Sequence, residues 1–225
     1  MDIKQLLGQS DTHLCEVFPG YFLHEQVLEP YLELVELAAK SGLALRLASA
    51  YRSFDRQLDI WNAKACGQRP VLDDAGCAIA LTDLSELDKV YALLRWSALP
   101  GASRHHWGSD VDVWDASVVG IDYRPRLLAE EYMDDGVFSR LSQWLDELLV
   151  GATSGFYRPY ARDRQGVGPE PWHLSYRPVA ESFERRRNQD LLREVLEQAD
   201  ILLKETILDN FDEIYQRFVV QSCEL

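Results

Sequence analysis

The chain has 225 residues, of which 47% are hydrophobic and 27% charged, as in an ordinary soluble globular protein. Its 37 acidic and 23 basic residues give a formal charge of −14. A field of this sign repels nucleic-acid phosphates and anionic membranes, so neither nucleic acid nor a membrane is expected as a partner. The length fits one large domain and makes no prediction about the oligomeric state.

The start of the chain does not resemble a secretory signal, because no basic segment is followed by a long apolar run. No stretch approaches the roughly 18 apolar residues that a membrane-spanning helix needs. We therefore expect a cytoplasmic protein. The four cysteines, at positions 15, 66, 77 and 223, form no CxxC pair. They are expected to be reduced, with a disulfide between Cys66 and Cys77 as the alternative.

Apolar periodicity predicts alternating helices and strands along most of the chain. Helices are predicted over residues 26–41, 54–65, 84–94 and 137–149. Strands are predicted over residues 43–50, 111–114, 155–157 and 172–176. From residue 178 onward the pattern is helical only, and we expect two helices that pack on the preceding part of the chain.

These elements predict an α+β fold, in which a small, mainly antiparallel sheet is flanked by helices and followed by a helical C-terminal extension. A single domain is expected over residues 1–225, because no linker separates its parts. Its core covers about residues 43–177, and the C-terminal extension covers about residues 178–225.

His105 and Asp112 lie seven residues apart in the first of two polar segments, Ser-Arg-His-His-Trp-Gly-Ser-Asp-Val-Asp at 103–112. A turn at Gly108 followed by a strand gives a hairpin-like geometry that can aim both side chains at one cation. Asp110 shares a strand face with Asp112. The helical HExxH arrangement is absent. The alternative is that both histidines of the segment are surface residues and both aspartates form a solvated face, and this segment alone does not decide.

Glu170 and His173 form the second segment, Glu-Pro-Trp-His. The intervening proline disturbs strand alternation, so the glutamate can lie near a metal held by the histidine without ligating it. Such a carboxylate acts as a general base, taking a proton from water and passing it to a leaving amine. The alternative is a loop glutamate beside a half-buried strand histidine. Together the two segments contain what a hydrolytic zinc site needs: three N/O ligands and a nearby carboxylate.

The two polar segments together resemble the signature of a known family. The paired motifs resemble the signature of VanY-type D-alanyl-D-alanine carboxypeptidases, a family of the zinc peptidases that also include lysostaphin-type enzymes and the hedgehog amino-terminal domain. The resemblance runs from about residue 43 to 176. The matching pattern is Ser103-x-His105-x-x-Gly108-x-x-x-Asp112 followed by Glu170-x-Trp172-His173.

The resemblance implies a Zn²⁺ ion held by His105, Asp112 and His173. It implies that Glu170 is the catalytic base. It also implies that Arg52 polarises the scissile carbonyl or binds the substrate carboxylate, a role that suits a guanidinium fork. Without the zinc motifs, a capping or surface arginine would be the preferred interpretation of this position.

Two further positions, Gln57 and Ser103, match residues that hold the terminal D-residue in some family members. Asp110 departs from the signature, which often has a small apolar residue there. It is expected either to hydrogen-bond a ligand histidine or to lie at the surface. His106 is an alternative ligand, although the register of the motif favours its neighbour.

The resemblance implies an enzyme that removes a C-terminal D-alanine from peptidoglycan-derived peptides. We expect an L,D-carboxypeptidase acting on tetrapeptides in cytoplasmic cell-wall recycling, because a D,D-enzyme there would attack the cell's own pentapeptide precursors. The alternatives are a D,D-carboxypeptidase or dipeptidase, an endopeptidase, and a zinc-containing binding module without activity. Four arginines, at positions 158, 162, 164 and 177, are either solvated or offer positive charge to an anionic peptide.

Overall fold

The structure of the protein is a computed structural model that describes residues 2–151 and 153–220. Its six strands within these ranges are β1 (Leu14–Phe18), β2 (Tyr21–His24), β3 (Leu45–Ser49), β4 (Asp110–Asp115), β5 (Phe156–Tyr157) and β6 (His173–Tyr176). The α-helices within the same ranges are α1 (Ile3–Leu6), α2 (Leu28–Lys40), α3 (Phe54–Ala65), α4 (Glu86–Leu94), α5 (Ala129–Tyr132), α6 (Ser139–Val150), α7 (Arg177–Glu184), α8 (Gln189–Gln198), α9 (Lys204–Asp209) and α10 (Phe211–Ile214).

The strands form two separate sheets. β1 and β2 make an antiparallel hairpin, and the other four strands make a sheet in the order β3-β4-β6-β5. Every neighbouring pair in this second sheet is antiparallel. The predicted fold class, a small antiparallel sheet flanked by helices in an α+β protein, is confirmed.

The predicted elements of the central region occur close to their expected bounds. α3 covers residues 54–65 as predicted, because the Ser53 hydroxyl caps its first turn by accepting from the Arg56 amide at 3.2 Å. α2, α4 and α6 fall within one to two residues of their expected bounds. The hairpin β1–β2 and the short helices α1 and α5 were not predicted.

The expectation of two C-terminal helices was wrong, because within the described residues this part holds α7 to α10 followed by a π-helical turn over Tyr215–Val220. Capping residues interrupt the helical pattern. Asn188 caps α8 through its side chain, which accepts from the Leu191 amide at 3.0 Å. Leu203, in the left-handed region at φ 64°, separates α8 from α9.

Two groups of buried apolar side chains form the core. The first lies between the four-stranded sheet and helices α2, α6 and α7, with Val111 and Val113 of β4 at its centre. The second lies between α3, α4 and the C-terminal helices. Trp61 of α3 is fully buried there, and its indole N–H donates to the Leu202 carbonyl at 3.1 Å. The C-terminal helices therefore hold α3 in place beside the sheet.

No helix within residues 2–151 and 153–220 is long and apolar enough to cross a membrane. Cys15, Cys66 and Cys77 are free thiols, so the alternative of a bond between Cys66 and Cys77 is wrong. Cys223 lies outside the described residues.

Candidate metal centre

The pairing of three strands sets one row of side chains across the sheet. Asp112 of β4 lies opposite His173 of β6 and, on its other side, opposite Ser49 of β3. Directly opposed residues of antiparallel strands project from the same face, with their Cβ atoms about 4.5–5.5 Å apart. An irregularity in β3 between Leu47 and Ser49 brings the serine into this row. The sheet register alone therefore places Asp112 next to His173.

His105 reaches the same row from a short 3-10 turn, Arg104–Trp107, that precedes β4. The turn ends at Gly108, which has φ +68°. A Cβ at this position would come within 2.6 Å of the His24 backbone nitrogen, so glycine is required for both the conformation and the close approach. The predicted turn at Gly108 is present, and it directs His105 back towards the strand that follows.

The three side chains converge on one point. His105 Nε2 lies 3.3 Å from Asp112 Oδ2, and His173 Nδ1 lies 3.1 Å from Asp112 Oδ1. One ligand atom from each residue lies within 4.8 Å of the other two. The Asp112 Oδ1 atom is buried and receives no hydrogen bond of acceptable geometry among the described residues. Two imidazoles and a carboxylate with a free acceptor fit a Zn²⁺ ion with an open coordination position.

Both imidazoles have their other ring nitrogen engaged by an acceptor. His105 Nδ1 lies 2.8 Å from the Ala50 carbonyl oxygen, an acceptor that requires a proton on this nitrogen. His173 Nε2 lies 2.9 Å from Asp110 Oδ1, so this histidine has the opposite tautomer. In the neutral forms of the two histidines, the nitrogens without a proton would be His105 Nε2 and His173 Nδ1, the two that face Asp112. Such hydrogen bonds orient ligand histidines and fix the tautomer that binds a metal.

Asp110 is fully buried within a network of charged and polar groups. It accepts hydrogen bonds from Arg104 Nε at 2.7 Å, from His173 at 2.9 Å and from the Ser175 hydroxyl at 3.0 Å. Arg104 also donates to Glu184 of α7. Burial acts to raise the pKa of Asp110, but Arg104 and His173 outweigh it and hold that pKa well below its usual range. The expected hydrogen bond between a candidate ligand histidine and Asp110 is present, with His173 as the donor.

His173 is surrounded by carboxylate groups, so the electrostatic potential at its ring is negative. Burial acts to lower the pKa of His173, but the nearby carboxylates of Asp110, Asp112 and Glu170 raise it well above 6.5. The pKa of Asp112 is held well below its usual range, because His105 and His173 outweigh the effect of burial. A proton and a metal ion compete for the same imidazole lone pair, so a pocket that stabilises positive charge at His173 also favours a dication.

Glu170 stands at the exposed side of this group. The backbone turns sharply before β6, with the His173 amide donating to the Glu170 carbonyl at 3.2 Å and the Glu170 amide donating to the Tyr160 carbonyl at 3.0 Å. The Glu170 carboxylate lies 3.1 Å from His173 Nδ1, and 14% of its side chain is exposed. It is therefore next to the His173 nitrogen that faces Asp112, and it is within reach of solvent.

Arg52 is hydrogen-bonded to Ser49, which lies in the same row of side chains across the sheet. Its guanidinium donates to Ser49 Oγ at 3.1 Å and to Gln57 Oε1 at 2.8 Å. Its backbone N–H donates to the His105 carbonyl at 3.1 Å. Burial lowers the pKa of Arg52, while the charges of Asp112 and Glu170 oppose this shift. The arginine is half-buried and faces the two carboxylates without a direct ion pair to either among the described residues.

The two predicted substrate contacts differ in position. Gln57 is fully buried, and its amide is occupied by Arg52 and by the Ala98 carbonyl, to which Nε2 donates at 2.7 Å. This places Gln57 behind Arg52, where it orients the guanidinium. Ser103 begins the 3-10 turn that carries His105, and its side chain makes no capping hydrogen bond.

His106 does not belong to the ligand group among the described residues. Its Nδ1 donates to the Arg52 carbonyl at 2.6 Å, and its Nε2 accepts from the Gly101 amide at 3.0 Å. Burial lowers its pKa to about 3, so it stays neutral and braces the loop that carries Arg52. The alternative of a surface His105 and His106 with a solvated face at Asp110 and Asp112 is wrong, since all four side chains are buried.

Sequence reasoning missed Arg104 and Glu184. Arg104 is 1% exposed and Glu184 lies 80 residues further along the chain. One signal was available: an aspartate at position 110, in a signature that usually has a small apolar residue, needs a cationic partner if it is buried. Arg104, six residues earlier in the same segment, was the nearest candidate.

Comparisons with known proteins agree with this geometry. A family model described as "VanY: D-alanyl-D-alanine carboxypeptidase" matches residues 20–179. An uncharacterized protein of Haemophilus influenzae is 42% identical over 100 residues, which cover 43% of this chain and 68% of that protein.

Two solved structures share the fold. One is a mutant of the vancomycin resistance D,D-pentapeptidase VanY from a VanB-type cassette, in complex with Zn(II). It has a TM-score of 0.54 and 23% identity, and the match covers 88% of this chain and 91% of that one. The other is VanYB in complex with D-alanine-D-alanine, with a TM-score of 0.55 and 22% identity, covering 84% and 90% of the two chains.

The family model spans well over half of the chain, including the strands and the turn that carry the candidate ligand residues. The chain therefore belongs to the VanY D-alanyl-D-alanine carboxypeptidase family of peptidases.

Proposed function

We propose that the protein is a zinc-dependent carboxypeptidase that removes a C-terminal D-alanine from peptidoglycan-derived peptides. The observation that carries this proposal is the convergence of His105, Asp112 and His173 within 4.8 Å, with Glu170 beside them. A zinc ion at this point would act as a Lewis acid on a water molecule and on the scissile carbonyl. The related VanY structure that contains Zn(II) supports the choice of metal.

The three ligand residues have separate tasks in this proposal. His105 and His173 would bind the metal through the nitrogens that their tautomers leave unprotonated. Asp112 would bind through Oδ1, the buried oxygen without a hydrogen bond. One carboxylate and two neutral imidazoles leave a positive charge on a bound dication, which is what polarising a carbonyl requires.

Glu170 would transfer a proton from the attacking water to the nitrogen of the leaving D-alanine. As a carboxylate it accepts a proton from the attacking water while the oxygen of that water bonds to the carbonyl carbon. It then donates the proton to the nitrogen of the departing D-alanine as the C–N bond breaks. Its position next to His173 Nδ1 and its 14% exposure allow contact with both the metal site and the substrate.

Arg52 would bind an oxygen of the substrate. The hydrogen bonds to Ser49 and Gln57 use two of its five N–H groups and fix the plane of the guanidinium. Within the described part of the chain no side-chain contact occupies the remaining N–H groups, which would be available for the scissile carbonyl oxygen or the terminal carboxylate. A planar fork suits either acceptor, and a preorganised donor is most effective where negative charge develops during the reaction.

We propose L,D specificity, so that the preferred substrate is a tetrapeptide whose last bond joins an L-centre to D-alanine. This choice rests on the expected cytoplasmic location, where a D,D-enzyme would destroy the cell's own wall precursors. A D,D-carboxypeptidase is the second candidate. The description of the matching family favours it, and so does the VanYB structure that contains D-alanine-D-alanine.

The test uses zinc-loaded protein, a muramyl tetrapeptide ending in D-alanine and the matching pentapeptide ending in D-Ala-D-Ala. Chromatography of the products measures free D-alanine, and a Glu170→Gln variant serves as the inactive control. Faster release from the tetrapeptide supports the L,D assignment, whereas release from the pentapeptide alone establishes the D,D candidate. Absence of release from both, with zinc bound, would contradict a carboxypeptidase and support a zinc-containing binding module.

A further inference from the structure

Residues 161–169 form a loop whose two ends meet beside the candidate metal centre. The Glu170 amide donates to the Tyr160 carbonyl at 3.0 Å, and this hydrogen bond closes the loop. The Tyr160 ring packs edge-on against the His173 ring, with 5.0 Å between the two ring centroids. The conformation of the 161–169 loop therefore determines where the backbone of Glu170 lies relative to His173.

This loop has little rigidity of its own. No helix or strand lies within it in the described structure, and its glycines, at positions 166 and 168, make the free chain more flexible. Gln165 lies in the left-handed region at φ 65°, a conformation that is unfavourable for a residue with a side chain. Contacts from other parts of the protein must therefore hold the loop in this conformation.

Several of these contacts come from Arg95, the residue that ends α4. Its guanidinium donates two parallel hydrogen bonds to the Asp163 carboxylate, Nη1 to Oδ1 at 2.9 Å and Nη2 to Oδ2 at 2.7 Å. Nη1 also donates to the Gly166 carbonyl at 3.1 Å, and the Arg95 carbonyl accepts from the Gly168 amide at 2.9 Å. Bidentate pairs of this kind fix geometry as well as adding energy. One residue of α4 thus binds three positions of the loop.

The packing around Arg95 brings the loop close to α4 and to the C-terminal part. A Cβ on Gly168 would overlap three carbon atoms of the Trp96 ring, so glycine is required for this approach. Val167 is 9% exposed and packs in the second apolar core. From the π-helical turn, Arg217 Nε donates to the Gln165 carbonyl. The loop is therefore held by elements that lie outside the four-stranded sheet.

Arg95 acts at a distance from the candidate metal centre. Among the described residues, its side chain hydrogen-bonds to two carboxylates and one carbonyl, those of Asp74, Asp163 and Gly166. Within this part of the chain it makes no hydrogen bond to Glu170 or to a candidate ligand. The hydrogen bond from Arg95 lowers the pKa of Asp163 to about 2, so the pair is charged throughout the pH range of an enzyme assay.

We propose that Arg95 is a positioning residue for the catalytic base and acts through the 161–169 loop. The inference rests on the proposed function, in which Glu170 transfers the proton. Arg95 holds the loop from the side of α4, and the loop holds the backbone of Glu170 beside His173. A displacement of about 1 Å at a reacting group can lower a rate roughly 10²-fold, so a distant contact of this kind affects turnover.

The first measurement compares the zinc-loaded wild type with Arg95→Gln on the muramyl peptide that the wild type hydrolyses. The kcat, corrected for the folded fraction found by urea denaturation, should fall about 10- to 100-fold. KM should stay within about threefold, because Arg52 and the candidate ligands are unchanged. Elemental analysis should find equal zinc content in both proteins. A loss of stability alone would leave the corrected kcat at the wild-type value.

Two substitutions that each remove one carboxylate partner of Arg95 form a matched pair. Asp163 lies in the loop and Asp74 lies outside it, and each has an oxygen 2.7 Å from the Arg95 guanidinium. Asp163→Asn should lower the corrected kcat, whereas Asp74→Asn should leave it unchanged. The double variant Arg95→Gln/Asp163→Asn should be no slower than Arg95→Gln alone, because both changes remove the same contact. Arg95→Lys keeps the charge without the fork and should have an intermediate kcat.

Hydrogen exchange provides a second measurement that does not depend on turnover. The backbone amides of residues 160–173 should exchange faster in Arg95→Gln than in the wild type or in Asp74→Asn. Exchange at Val111 and Val113 of β4 should be the same in all three proteins, because the contact is local.

The inference is overturned if an active wild type and Arg95→Gln have the same corrected kcat, even when exchange in the loop is faster. Equal losses of kcat in Asp163→Asn and Asp74→Asn would also overturn it, since the effect would then not pass through the loop. If the wild type hydrolyses no peptide, the proposed function fails. Unchanged exchange at residues 160–173 in Arg95→Gln would show, independently of activity, that Arg95 does not hold Glu170.

Discussion

The two sides of the candidate metal centre differ in whether their charged side chains have partners of opposite charge. On the closed side, towards the sheet and α7, Asp110 and Arg104 are fully buried and satisfy each other together with Ser175 and Glu184. On the open side, towards α3, Arg52 has no ion pair with a carboxylate among the described residues, and Glu170 is partly exposed. The same site therefore contains one saturated network and one set of available charges.

The groups on the closed side hold His173 in position, whereas the groups on the open side can contact a substrate. A buried polar network with all its hydrogen bonds made is rigid, and it holds His173 in one orientation and one tautomer. Groups that must contact a substrate need free hydrogen-bonding capacity before the substrate arrives. The comparison predicts that changes on the open side affect turnover and substrate affinity, whereas changes on the closed side affect metal binding and stability.

The largest effect is expected at Glu170. A Glu170→Gln substitution keeps the shape but removes the proton acceptor, so turnover should fall about 10²- to 10⁴-fold. Zinc content should be unchanged, because the ligand set is intact. Steady-state kinetics and elemental analysis of the same preparation measure both quantities. Near-normal turnover would show that Glu170 is not the base, and loss of zinc would assign it to the ligands.

The next effect is expected at Asp110 on the closed side. An Asp110→Ala substitution leaves the buried Arg104 charge without its fully buried carboxylate partner, which should cost about 3–5 kcal/mol in the free energy of unfolding. His173 also loses its acceptor, so zinc affinity should fall about 10- to 100-fold. Urea denaturation and competition with a zinc chelator measure the two effects.

The milder variant Asp110→Asn is the matched control for this position. It retains an oxygen acceptor of the same size, so it should lose less stability than the alanine variant. If the alanine variant is as stable as the wild type and binds zinc equally well, the closed side does not position His173.

The smallest effect is expected at His13, a buried histidine near the β1–β2 hairpin. Burial and the nearby His24 lower its pKa from 6.5 to about 4. The unfolded chain therefore binds a proton near pH 6.5 that the folded chain does not bind until about pH 4. The free energy of unfolding should fall as the pH is lowered through this window.

A His13→Gln variant should show a shallower fall over the same window, whatever its stability at neutral pH. Urea denaturation of both proteins at several pH values, after chelation of metal, gives the two slopes. His106, whose pKa burial lowers to about 3, should maintain part of the acid sensitivity in the variant. Identical slopes would contradict the assignment of this titration to His13.

The strands of the sheet were largely predictable from sequence, because each depends on short-range signals, whereas the candidate ligand set was implied by the family resemblance. The Gly108 turn, the alternation in β4 and the proline before His173 each act within a few residues. The hairpin β1–β2 was missed, although Pro19-Gly20 between apolar residues is a turn signal that predicts it. The breaks among the C-terminal helices depend on caps such as Asn188, which are weaker than apolar periodicity.

The charge networks were not predictable from local pattern. Arg104 contacts Glu184 across 80 positions, and Gln57 reaches the Ala98 carbonyl across 41. These contacts depend on how α3 and α7 pack against the sheet. Gln57 shows the consequence: the motif predicts a substrate contact, whereas the packing places its amide behind Arg52. Its role in substrate binding remains a prediction.

The most direct test of the central claim is the zinc content of the wild type and of a His105→Ala/His173→Ala double variant, measured by elemental analysis after dialysis against excess zinc and removal of unbound metal. A His106→Gln variant is the control, since both ring nitrogens of His106 face backbone groups rather than Asp112. We predict one zinc per chain in the wild type and in the control, and none in the double variant. Full occupancy in a folded double variant would contradict the site.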